Sequence, residues 1–323
     1  MIEINELTKV FGSNVAVDNV TFYVEPGEIM GFLGPNGAGK STTLNILTGY
    51  LSATSGSCKV NGIDVLENPI DAKRQIGFLP EQPPLYMDMT VKEYLRFVYD
   101  LKGCRLPRDR HIREKCDVVK IGDVYDRMIG NLSKGYKQRV GIAQALIGDP
   151  PVLIFDEPTV GLDPKQIIDI RNLIRVLGQK HTIILSTHIL PEVQAVCDRI
   201  IVINKGKLVA NEKTENLVTA VDGSRKLIAK IVGREEEVLK VLRAVPGVKS
   251  ADSLGRRDTD SISYLIESED RIDVRKPLFY ALSARGDMPL IGLEGMELNL
   301  EDIFIRLVSE NKKAAKGTKG GNR

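Results

Sequence analysis

Gly34-Pro35-Asn36-Gly37-Ala38-Gly39-Lys40-Ser41 fits the pattern G-x-x-x-x-G-K-[ST] at every fixed position. An apolar run, Ile29-Met30-Gly31-Phe32-Leu33, leads into it, and Thr42-Thr43-Leu44-Asn45-Ile46-Leu47 continues with a helical pattern. A strand, a glycine-rich loop and a helix in that order form a phosphate cradle. Glycine lets the backbone wrap closely around an anion. Successive N–H groups and the helix N-terminus supply positive potential. Asn36, Gly37, Ala38, Gly39 and Thr42 belong to the cradle. Lys40 is expected to reach the β- and γ-phosphates of a nucleotide, and Ser41 to ligate Mg²⁺ through its hydroxyl.

Val152-Leu153-Ile154-Phe155-Asp156-Glu157 supplies the acids such a loop needs. A buried strand delivers two carboxylates to its C-terminal end, where α/β sheets bind ligands. Asp156 is expected to hold Mg²⁺, directly or through water, and Glu157 to orient the attacking water. Thr182-Ile183-Ile184-Leu185 reads as a third buried strand. Short apolar runs, each followed by a polar loop and a helical pattern, predict an α/β domain with a mainly parallel sheet.

Around this centre the chain changes character twice. Residues 1–28 read as short strands with turns, and Asn61-Gly62 marks a further hairpin, so an antiparallel edge sheet is expected. Residues 91–132 read as a helical lobe broken at Pro107. The first domain is placed at 1–222. Beyond it, strand 226–232, helix 234–244, strand 247–253, strand 260–267, helix 273–285 and strand 288–294 give the β-α-β-β-α-β order of a ferredoxin-like unit. This accessory domain is placed at 223–310, with a last helix over 300–310. The basic, glycine-rich tail 311–323 is expected to be disordered.

Composition adds limits. A net charge of +2 over 323 residues points to neither nucleic acid nor membrane. The chain starts Met1-Ile2-Glu3-Ile4 without a signal core, and no apolar run nears the roughly 20 residues that span a bilayer. Cys58, Cys104, Cys116 and Cys197 form no metal pattern, so ordinary thiols in a reduced cytosolic protein are expected. His111 and His181 sit in polar stretches and are expected at the surface.

Leu132-Ser133-Lys134-Gly135-Tyr136-Lys137-Gln138-Arg139 resembles the L-S-G-G-Q signature of ABC ATPases, with Lys134 and Tyr136 departing from it. Gly161-Leu162-Asp163 looks like that family's D-loop, and Ser186-Thr187-His188 its switch histidine. The resemblance covers roughly residues 1–220. It implies a P-loop ABC ATPase fold that binds ATP and Mg²⁺. Phe11 would stack on adenine, with position 16 (Ala16) beside it. Ser133 and Gly135 would touch the γ-phosphate, His188 would contact it too, and Asp163 would serve the D-loop. The Q-loop role falls to Glu81 or Gln82, with Glu81 favoured by position. The family closes the signature of one subunit over the cradle of another, so a dimer with two ATPs is implied, of identical or paralogous subunits.

One cradle and one signature in the chain disfavour the two-cassette translation type. Fewer than 100 residues between them, without heptads, disfavour the coiled-coil DNA type. Leu300-Glu301-Asp302-Ile303-Phe304-Ile305-Arg306-Leu307 and Ile76-Gly77-Phe78-Leu79-Pro80-Glu81 resemble drug-, lipid- and gliding-type export ATPases. The expectation is the ATPase subunit of an exporter, peripheral on the cytoplasmic face of the inner membrane and held there by a separate polytopic permease. No nucleic-acid partner is expected. The alternatives are a soluble ABC ATPase acting on ribosomes or DNA, and a regulatory module without turnover.

Overall fold

The computed structural model describes residues 1–214, 226–256, 260–269 and 272–295. They form two compact units, one ending at Thr214 and one beginning at Lys226. The first contains two sheets. Strands β1 (Ile2–Phe11), β2 (Asn14–Val24), β4 (Ser55–Val60) and β5 (Ile63–Asp64) make an antiparallel sheet in the order β2-β1-β4-β5. β1 and β2 span 10 and 11 residues, not the short strands expected, because bulges let the pair twist without breaking. Asn61 and Gly62 turn between β4 and β5 with both φ angles positive, as a tight hairpin turn requires.

The second sheet has the order β10-β9-β3-β8-β7-β6. β3 (Ile29–Leu33), β6 (Ile76–Leu79), β7 (Val152–Asp156), β8 (Thr182–Thr187) and β9 (Arg199–Asn204) run parallel, and β10 (Lys207–Lys213) is antiparallel at the edge. Every residue of β3, β7 and β8 is buried. That is why these strands read as continuous apolar runs rather than alternations. Ile4, Leu7, Val20 and Phe22 from the first sheet meet Met30, Phe32, Ile154, Ile184 and Ile201 from the second, with Leu44 and Leu47 of α1 (Lys40–Leu47) in the same core. The Phe22 and Phe32 rings lie 5.6 Å apart.

Helix α2 (Pro69–Arg74) leads from β5 to β6, and a helical lobe carries α3 (Val91–Leu101), α4 (Arg108–Val119) and α5 (Lys134–Leu146). Thr90 and Glu93 form a reciprocal capping box on α3, and Pro107 sits at the start of α4. Contrary to expectation, His111 and His181 are buried. His111 Nε2 accepts from Gly148 N at 3.0 Å, and His181 Nδ1 lies 2.8 Å from Pro150 O. Their polar sequence neighbours lie on the outer face, and the rings supply hydrogen bonds to buried backbone. Cys58, Cys116 and Cys197 are buried free thiols, and burial pushes Cys58 and Cys116 up to about 12.

The second unit is an antiparallel sheet in the order β12-β13-β11-β14, from β11 (Lys226–Ile231), β12 (Val248–Arg256), β13 (Ile262–Ser268) and β14 (Leu290–Gly295). Helices Glu235–Ala244 and Arg275–Ser283 bury Val238, Leu242, Leu278 and Leu282 against Leu227, Ala229, Tyr264 and Ile266. This is the ferredoxin-like order. The helix expected over 300–310, the tail 311–323 and the boundary at 222 lie outside the described residues.

Candidate functional site

β3 ends between its neighbours β8 and β9, and the loop 34–39 crosses that end before α1 begins. The loop needs its glycines for separate reasons. A Cβ at Gly34 would lie 2.4 Å from Ile203 O. Gly39 has φ +107, and a Cβ there would lie 2.6 Å from Ala16 O. Strand β2 therefore rests directly on the cradle, which brings Ala16 to it.

A cleft of about 860 Å³ opens over this loop. Phe11, Asn14, Val15 and Ala16 line one end, residues 35–42 the floor, and Glu81, Glu157, Val160 and His188 the other walls. The Phe11 ring is exposed, as a ring that stacks on a planar base must be. Lys9 Nζ lies 5.0 Å from its centroid.

The charged groups converge. Lys40 is buried, and its Nζ donates to Gly34 O at 2.7 Å and to Pro35 O at 3.3 Å. The same nitrogen lies 3.6 Å from Glu157 Oε1. His188 Nδ1 lies 2.9 and 3.0 Å from the two oxygens of Glu157. Glu157 has φ +50, rare for a residue with a side chain, and its N–H donates to Ser186 O at 2.9 Å. The turn leaves Asp156 in the strand and Glu157 on the cleft wall. Asp156 pairs in register with Ser186, and both Asp156 Oδ1 and Ser186 Oγ are buried without a hydrogen-bond partner among the described residues.

Not every predicted residue lines the cleft. Glu81 does and Gln82 does not. Ser133, Gly135 and Asp163 lie away from it and have local roles within the chain. Ser133 caps α5 by accepting from Tyr136 N, and Asp163 caps α6 (Pro164–Gly178) by accepting from Gln166 N. Gly135 gives room to the Gln166 side chain, which a Cβ would meet at 2.7 Å. At the two departures from the signature, Lys134 packs against Gly161 and the Tyr136 hydroxyl donates to Asp123 at 2.7 Å. Sequence reasoning missed Asn14, Val15, Val160 and the Lys205-Gly206 turn among the lining residues. For the turn, the available signal was a Lys-Gly pair between two apolar strands.

A glycine-rich phosphate loop with a lysine after β3, and an acid-tipped strand β7 beyond β8 in the same sheet, define a P-loop ATPase. The model of the ABC transporter family matches residues 17–160. The bacitracin transport ATP-binding protein BcrA of Bacillus licheniformis is 39% identical over 210 residues, 64% of this chain and 68% of that protein. The Nod factor export ATP-binding protein I of Paraburkholderia xenovorans (strain LB400) is 32% identical over 308 residues, 95% of this chain and 96% of that protein. A dimeric ATP-binding cassette solved in a post-hydrolysis state with ADP and Pi matches with TM-score 0.61 and 28% identity, covering 66% of this chain and 99% of that one. The chain belongs to the ABC transporter ATP-binding family, and it is an ATP-binding ATPase.

Proposed function

We propose that this chain powers an exporter as a peripheral subunit on the cytoplasmic face of the membrane. It would work with a polytopic permease and a second ATPase subunit, either another copy or a paralogue. The observation that carries the chemistry is the convergence of Lys40, Glu157 and His188 on one cleft above the phosphate loop. Support for export comes from the nearly full-length similarity to a Nod factor export ATP-binding protein. Among the described residues no helix is long and apolar enough to cross a membrane, so a pore would come from another chain.

Backbone N–H groups of 36–41 bind the β- and γ-phosphates, and Lys40 exchanges its carbonyl partners for phosphate oxygens. Glu157 then orients the attacking water and accepts the proton it loses. His188 contacts the γ-phosphate. Ser41 and the unpartnered Asp156 oxygen are hard donors suited to Mg²⁺, with Glu81 assigned to the Q-loop position. When bound, the ion would neutralise negative charge on the phosphates. Ser133 and Gly135 act in trans on the second subunit's nucleotide, with Asp163 at the same interface, so ATP favours the closed pair and hydrolysis releases it. The unit 226–295 is an accessory domain of the subunit.

The test is full-length Glu157→Gln purified in mild detergent from its own cells with ATP. ATP binding without turnover, together with a stoichiometric polytopic partner, is the expected result. Normal turnover would overturn the role of Glu157. Recovery with ribosomes or DNA-associated proteins instead of a permease would overturn the exporter reading.

A further inference from the structure

Glu192 lies in the first turn of α7 (Leu190–Val196), in a sequence that looks like an ordinary helix start. It is 2% exposed. A carboxyl group held that far from water is costly unless its oxygens are met. Here each oxygen is met by a different catalytic turn. Thr159 Oγ1 donates to Oε1 at 2.7 Å, and Thr187 Oγ1 donates to Oε2 at 3.1 Å. Arg171 Nη2 stands 3.9 Å from Oε1. Thr159 and Thr187 are themselves buried.

The two threonines are not arbitrary neighbours. Thr159 follows Glu157 by two residues in the turn after β7, and Thr187 immediately precedes His188 at the end of β8. Besides the Glu157 N–Ser186 O backbone bond, the two turns are thus joined by two side-chain bridges. One bridge is Glu157 to His188, inside the cleft. The other is Thr159–Glu192–Thr187, beneath it and not part of its lining. The first bridge uses the groups that must let go of each other to reach water and the γ-phosphate. Once they part, the buried bridge is the side-chain link that still adds to the Glu157 N–Ser186 O backbone bond in fixing the spacing of the two turns. Thr187 Oγ1 also accepts from Ile189 N at 3.1 Å, so the switch turn is held on both sides of His188.

We infer that Glu192 is a positioning residue for ATP hydrolysis, a buried brace that holds the turn bearing Glu157 in register with the turn bearing His188. This rests on the roles given above to Glu157 and His188. Glu192 has no part in binding the nucleotide, so its loss acts on kcat and not on affinity. Displacing a reacting group by about 1 Å can cost on the order of 100-fold in rate. The charge itself is not required. A glutamine keeps one acceptor for Thr159, and its amide can donate to Thr187.

The test measures phosphate release and ATP affinity for full-length Glu192→Ala, Glu192→Gln and Thr159→Val, with Glu157→Gln as control. Expected for Glu192→Ala is a fall in kcat of about 10-fold or more, with ATP affinity within about 2-fold of the parent. Glu192→Gln should recover most of that loss. Thr159→Val, which removes one hydroxyl and little volume, gives the same kcat-only loss to a smaller extent, and it decides the matter if Glu192→Ala does not fold. Unchanged kcat in Glu192→Ala, or in Thr159→Val where it stands in, would overturn the brace. An equal loss in the alanine and glutamine variants would overturn it too, because that outcome requires the charge. If Glu157→Gln turns over normally, the underlying assignment fails instead, and the control separates the two failures.

Discussion

Nδ1 of His188 lies 2.9 Å from Oε1 and 3.0 Å from Oε2 of Glu157, so one imidazole nitrogen spans both oxygens of the carboxyl group. Lys40 Nζ, at 3.6 Å from Oε1, completes the set. Removing either partner changes what the other can do, and groups that act as a unit are not additive. His188→Ala and Glu157→Gln should each lower turnover by about 100-fold or more. The double variant should be no worse than about the weaker single. Single-turnover phosphate release on the three proteins checks this. Multiplicative losses would mean that the contact is incidental to the chemistry.

Ser133 heads α5 with its side chain used as a helix cap, and it lies outside the cleft of its own chain. A role at a phosphate therefore has to be played toward a second subunit. Ser133→Arg places a long cation at that helix end while leaving the cleft untouched. ATP affinity of the single chain should stay within about 2-fold, while ATP-driven dimerisation of a Glu157→Gln background should be lost. Size-exclusion chromatography with and without ATP reads the second effect. A dimer that persists would place Ser133 away from the closing surface.

The phosphate loop was legible because its contacts are local, eight consecutive residues with a strand before and a helix after. The ferredoxin-like unit was legible for a similar reason. In β11, Leu227, Ala229 and Ile231 are buried while Lys226, Ile228 and Lys230 are half-buried, the period of two that a sheet covered on one face writes into its sequence. Glu192 carried no such signal, since its burial depends on Thr159 and Thr187 from two other elements. His111 was misread through its charged neighbours. On α4 it adjoins the inward stripe Ile112, Cys116 and Val119, and that spacing outweighs the polarity of Arg108–Arg110.

His111 yields a pH prediction. Burial, and then the nearby Lys115 ammonium, lower its pKa from the usual 6.5, against the opposing pull of Asp149 and Glu114; Lys102 adds to the lowering. In the fold the ring accepts from Gly148 N through Nε2, which a proton there would forbid. The unfolded chain binds a proton near 6.5 and the fold resists it. Stability from this group is therefore full above that pH and declines as pH falls through the lowered folded value. Urea midpoints should drop between about pH 7.5 and about pH 5.5. His111→Gln, which can still accept from Gly148, should flatten that drop. An equal drop in the variant would assign the acid sensitivity to other groups.

Lys205 was not read from the sequence as a cleft residue, and it can be tested directly. It turns from β9 into β10 with φ +45, followed by Gly206 at φ +76. The turn is fastened to the phosphate loop by Gly206 N donating to Ala38 O at 2.9 Å, and to β2 by Asp18 N donating to Gly206 O at 2.8 Å. A Cβ at Gly206 would lie 2.9 Å from Ala16 O, so the turn adjoins the strand at the Phe11 end of the cleft. Lys205 therefore brings a second cation to the cleft besides Lys40, at a fixed backbone position and near the end expected to hold the nucleoside. ATP and ADP share that end of the molecule. Lys205→Ala should weaken both by a similar factor, about 3- to 10-fold at low salt and less at high salt, with kcat unchanged. Lys40→Ala should weaken binding more, about 10-fold or beyond, because its charge meets phosphate directly in a buried site. Parallel titrations with ATP and ADP decide. A loss confined to ATP would move Lys205 to the γ-phosphate end, and no loss with either nucleotide would leave it a solvated turn residue.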